Sequence, residues 1–149
     1  MKTRLFFLLI LGSLLFVNQH ISAQDRPKPK VDKELKTDTE KLVVLWTSGD
    51  VEVAKKMVFM YTYNAKKYGW WKDVTLIIWG PSSKLLTEDT ELQEYLKKMK
   101  DEGIVLEACK ACADMYEVSD KLTELGVDVK YMGQVLTDYI KGEEHVITF

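Results

Sequence analysis

The sequence predicts an α/β fold in which a mainly parallel five-stranded sheet carries helices on both faces. Three observations support that reading. Short apolar-rich runs recur at 42–46, 74–79, 104–108 and 146–149, and Val127 to Tyr131 reads as a further strand. Between them stand segments whose apolar residues fall at helical spacing, and the first two runs end in turn-forming residues, Thr47-Ser48-Gly49-Asp50 and Gly80-Pro81-Ser82-Ser83. A run without polar alternation suits a strand buried on both faces, and strands alternating with helices give parallel crossovers.

Residues 1–23 read as an export signal. Lys2 and Arg4 form a basic start, residues 5–17 are apolar, and Ile21-Ser22-Ala23 resembles a cleavage site. The apolar core is short for a membrane span, and the residue directly after Ala23 is Gln24 and not a lipid-bearing cysteine. The expectation is an exported protein, periplasmic or secreted, with no membrane attachment after cleavage. Loss of Lys2 and Arg4, with no acid removed, takes the formal charge from −2 to −4. Residues 24–40 carry Pro27, Pro29 and many charges, so they read as a flexible leader. A single domain over 41–149 remains, long enough for an ordinary core. Its mild acidity and dispersed basic residues argue against nucleic-acid binding.

Within the domain, Val51, Ala54, Val58, Tyr61, Ala65 and Tyr68 predict the first helix, stopped by Gly69. After the second strand, Thr90 and Gln93 have capping-box spacing, with Thr87 as a competing cap. Leu92, Leu96 and Met99 continue that helix as an apolar stripe until Gly103. The third strand, 104–108, leads into two cysteines and a helical turn over 113–118. Ser119 then caps a helix bearing Leu122 and Leu125, stopped by Gly126. Val135, Leu136 and Ile140 face inward on a last helix over 134–141, and Gly142 ends it.

Open parallel sheets bind ligands beyond the carboxyl ends of their strands. Four segments leave those ends: Thr47-Ser48-Gly49-Asp50, Trp79-Gly80-Pro81-Ser82, Cys109-Lys110-Ala111-Cys112 and Met132-Gly133. Cys109 and Cys112 are the candidate catalytic residues, and Ser48, Gly49, Trp79, Gly80, Lys110, Met132 and Gly133 the candidate pocket. A helix start favours thiolate over thiol, and Lys110 adds to that effect if its side chain turns toward the sulfur. The competing reading is structural, a small pair packed at a strand end or joined as a disulfide in an oxidising compartment.

Other chemistries fit poorly. The prolines stand at 27, 29 and 81, all before Cys109, so the later cis-proline loop of thioredoxin has no counterpart. Structural zinc takes about four ligands, and Cys109, Cys112 and His145 are too few, so neither metal nor cofactor is expected. Residues 47–50 lack the lysine of a phosphate loop, and Ser82 and Ser83 have no histidine partner. The four tryptophans read mainly as core or interface mass, and only Trp79 adjoins the rim.

The pattern resembles the DsrE/DsrF-like sulfur-relay family, which includes YchN-type proteins, over residues 41–149. Its most specific stretch is Glu102-Gly103-Ile104-Val105-Leu106-Glu107-Ala108-Cys109, with support from Trp79-Gly80-Pro81, Leu125-Gly126-Val127, Tyr131-Met132-Gly133 and Val146-Ile147-Thr148-Phe149. The resemblance implies a three-layer α/β/α sandwich and a homotrimeric or homohexameric assembly. It also implies a persulfide on Cys109, exchanged with a donor and an acceptor thiol, and Cys112 as resolving thiol or second carrier. Cytosolic relay members differ from a chain that looks exported. Two alternatives therefore stand beside the carrier: a non-enzymatic assembly module with a Cys109–Cys112 disulfide, and a thiol-disulfide oxidoreductase.

Overall fold

The computed structural model describes residues 40–149. The expected signal over 1–23 and all of the expected leader but Glu40 lie outside the described residues. Five strands form one sheet: β1 (Lys41–Trp46), β2 (Asp73–Ile78), β3 (Val105–Cys109), β4 (Asp128–Lys130) and β5 (His145–Thr148). Their spatial order is β4-β3-β2-β1-β5, and every neighbouring pair is parallel.

That order explains how the helices divide between the faces. The crossovers from β1 to β4 all step in one direction, so right-handed connections place their helices on a single face. These are the rod of α1 (Val51–Val53), a π-helical stretch (Ala54–Phe59) and α2 (Met60–Lys67), followed by α3 (Pro81–Glu88), α4 (Thr90–Asp101), α5 (Lys110–Met115) and α6 (Ser119–Glu124). The crossover from β4 back past β1 runs the other way, and α7 (Met132–Lys141) crosses the opposite face. Helices therefore lie on both faces, as expected, but in very unequal shares.

The core follows the strand alternation. Leu42, Val44 and Trp46 of β1, with Leu76, Ile78, Leu106 and Ala108, point to the crowded face and meet Val58, Phe59, Leu86, Leu96 and Leu122. Val43, Ile77 and Cys109 point the other way, onto Met132 and the half-buried Val135, Leu136 and Tyr139 of α7. Met132 is the only buried residue of α7.

Three local features depart from expectation. The Gly80-Pro81-Ser82-Ser83 stretch is more than a strand exit, because Pro81 opens α3 at a position where its missing N–H costs nothing. The cap of α4 is Asp89, whose Oδ1 accepts the Leu92 N–H at 3.0 Å, while Thr90 is already helical. Ser119 likewise lies inside α6 and not before it, with its hydroxyl donating to Asp114 at 2.6 Å.

Candidate functional site

The two cysteines sit where β3 ends and α5 begins. Cys109 is the last strand residue, carries an extended backbone (φ −72°, ψ 107°), and is 4% exposed. Cys112 lies on the first turn of α5, half-buried, and joins the small cluster beneath α7 together with Cys109, Trp79 and Met132. Both are free thiols. Cys109 is thus the inner thiol and Cys112 the outer one.

The exit of β2 frames the pair. Gly80 adopts φ 70° and ψ −134°, a region that side-chain-bearing residues avoid, and this turns its N–H toward the Cys112 sulfur. Ser82 fixes the turn: its Oγ accepts the Trp79 N–H at 2.9 Å, and its hydroxyl donates to the Trp46 carbonyl at 2.7 Å. Ser82 is a strut between the ends of β1 and β2. Burial pushes the Cys112 thiol up, and the neighbouring Cys109 adds to the shift, while the Gly80 N–H opposes it.

In a Gly80→Ala variant the added Cβ meets nothing within 4 Å, so the cost is backbone strain alone. We expect about 1–3 kcal/mol in denaturant unfolding, together with slower alkylation of Cys112 at neutral pH as the N–H turns away.

The remaining expected pocket residues divide. Trp79, Gly80 and Met132 are gathered around the thiols. Ser48 and Gly49 belong to the neighbouring loop, where the Asp50 N–H donates to Ser48 Oγ at 3.1 Å and Asp50 caps α1. A Cβ on Gly49 would lie 3.1 Å from Pro81 Cβ, so glycine there lets the two rim loops close together. A cleft of about 280 Å³ opens beside them, lined by Gly49, Pro81, Lys84, Leu85, Glu88 and Tyr116, and neither cysteine lines it. Gly133 is exposed on α7, and a Cβ added there would meet nothing within 4 Å. Lys110 turns away from the sulfurs: its ammonium donates to Asp114 at 2.6 and 2.8 Å and lies 5.9 Å from the Tyr131 ring centre.

This geometry can be set beside known proteins. Residues 40–149 match the DsrE/DsrF-like family. The chain belongs to that family. It is 38% identical to a solved conserved protein of unknown function from Bacteroides thetaiotaomicron, with a TM-score of 0.73 over 76% of this chain and 98% of that one. No curated protein matches.

Sequence reasoning missed one part of this DsrE/DsrF-like site. Glu107, two residues before Cys109, is buried on the α7 face of β3. Its carboxylate accepts the Lys130 ammonium at 2.7 Å and the Tyr139 hydroxyl at 3.2 and 3.3 Å. Lys130 also donates to Asp128 at 2.7 Å. Hydrogen bonds to Asp128 and then Glu107 hold the Lys130 ammonium well above its ordinary range. Burial pushes the Tyr139 phenol up, and the Glu107 charge adds to it, so Tyr139 stays a donor at neutral pH. A carboxylate inside the apolar run Val105-Leu106-Glu107-Ala108 was the available signal.

Among the described residues, no three His, Cys, Asp or Glu side chains converge on a point where a metal ion would sit.

Proposed function

We propose that this DsrE/DsrF-like chain is an exported sulfur carrier that holds sulfane sulfur on Cys109 and works with Cys112. The observation that carries the reading is the pairing of an inner and an outer thiol at a strand end, on the rim where parallel sheets bind ligands. The Cys109 thiolate attacks the terminal sulfur of a donor of the polysulfide class. One S–S bond forms, one breaks, and the shortened donor leaves with the electron pair. An acceptor thiolate then takes the outer sulfur and returns Cys109 as thiolate. Alternatively, the Cys112 thiolate attacks the Cys109 sulfur and expels hydrosulfide, and a dithiol reductant resets the disulfide.

Support for export is the order of basic, apolar and small residues over 1–23. The proposal includes assembly of copies into a homotrimer or homohexamer, in keeping with half-exposed Met57 and Met60 on the long helical rod.

Intact-mass measurement of the pre-reduced protein, freed of reductant and then exposed to polysulfide or thiosulfate, tests the carrier role. The wild type gains mass in steps of one sulfur atom, about 32 daltons, and Cys109→Ser does not. No addition to the wild type overturns the reading.

A pH dependence follows for Cys112. A raised thiol holds less thiolate at neutral pH than a free cysteine, so its alkylation is slow there. The rate climbs only as pH passes the usual thiol range, which peptide-resolved iodoacetamide labelling checks.

The burial of Cys109 favours a second reading, in which the pair serves an assembly module as packing or as a disulfide. Under that reading the double serine variant loses stability and keeps its oligomer.

A further inference from the structure

Lys110, the cation that the sequence places nearest the thiols, is held outward by Asp114 and Tyr131. Another cation stands on the inner side. β3 and β4 run in parallel register with Cys109 opposite Lys130 and Glu107 opposite Asp128. Register partners share a face of the sheet, so Lys130 rises beside Cys109 and bends back by one residue pair to reach Glu107 and Asp128.

We propose that Lys130 and Glu107 are positioning residues for Cys109: Lys130 supplies the cation that meets its thiolate or persulfide anion, and Glu107, braced by Tyr139, sets where that cation rests. The inference rests on Cys109 being the reacting thiol of the proposed carrier.

The charged and titratable groups that share the sheet face of Cys109, or pack in its cluster, are these. β3 brings Glu107, β4 brings Asp128 and Lys130, α5 brings Cys112, and α7 brings Tyr139, which is neutral at ordinary pH. β2 and its exit bring the uncharged Ile77 and Trp79. The Glu107 side chain is 6% exposed, so solvent screens its charge far less than that of a surface pair. The sign of each substitution follows. Without the Lys130 charge, the Glu107 and Asp128 carboxylates on the same sheet face are left unbalanced, and the Cys109 anion is disfavoured. Without the Glu107 charge, Lys130 answers only to Asp128, and the anion is favoured.

The test is the pH profile of Cys109 alkylation by iodoacetamide, followed with thiolate ultraviolet absorbance, in the full chain carrying Cys112→Ser. This readout needs no sulfur donor, so it is separate from success or failure of sulfur carriage. Lys130→Met should slow alkylation at neutral pH about tenfold, and Glu107→Gln should speed it severalfold. Lys130→Arg should restore the parent profile. Loosened packing would move Lys130→Met and Glu107→Gln in the same direction, whereas electrostatic coupling moves them in opposite ones. If Lys130→Met alone fails to fold because Glu107 is left buried and unpaired, the double variant is compared with Glu107→Gln. Adding Lys130→Met must then slow alkylation. Coincident profiles, or shifts of the same sign, overturn the proposal.

Discussion

In the Cys109→Ser variant, transfer of sulfur from polysulfide to an acceptor thiol is expected to fall to the uncatalysed background. A serine hydroxyl cannot hold a sulfane sulfur, and no cysteine other than Cys112 exists in the chain to replace it. Cys112→Ser is expected to behave differently. It removes the outer thiol, which burial and the Cys109 neighbour already keep protonated at neutral pH. Loading of Cys109 persists there, and the persulfide lives longer because no adjacent thiol can expel hydrosulfide. A donor-to-acceptor transfer assay with both variants distinguishes the roles. Equal loss in the two would mean that the pair acts as one redox unit.

The largest stability effect is expected at Trp46. Its side chain is fully buried at the end of β1 and meets Phe59 edge-on, at 5.1 Å between ring centres and 80° between planes. Phe59 in turn meets Tyr95 edge-on, at 5.5 Å between ring centres. Truncation to alanine removes the base of this aromatic ladder and leaves a cavity between the sheet and the helical rod. The expected loss is about 3–5 kcal/mol, a large share of a domain stability on the order of 5–15 kcal/mol. Trp46→Phe is expected to cost less, because the indole Nε1 is buried with no hydrogen-bond partner and its removal strands nothing. Chemical denaturation of both variants checks the ranking. A Trp46→Ala cost under about 1 kcal/mol would contradict this account of the core.

How much of this was legible in the sequence depended on range. β1, β2 and β3 announce themselves as apolar runs too short for helices, and the glycines at 69, 103 and 126 mark ends that the fold keeps, all three with positive φ. α3 stayed hidden because Gly-Pro-Ser-Ser has the composition of a loop, although proline is well tolerated at a helix start. The strand-end position of Cys109 could be read locally. The Glu107–Lys130–Tyr139 cluster could not, because it depends on the β3–β4 register and on α7 crossing the far face. Lys110 shows the opposite case, since its spacing from Asp114 is the four residues of a helical ion pair. That local pairing outweighs any attraction to the thiols.

The most direct test of the central claim follows isotope-labelled sulfur from inorganic polysulfide through the reduced wild-type protein. The label is predicted to appear first on the peptide spanning 103–113, bound to Cys109, and then to leave it as an added acceptor thiol gains the same sulfur. An acceptor that gains label while this peptide never carries any would contradict the account.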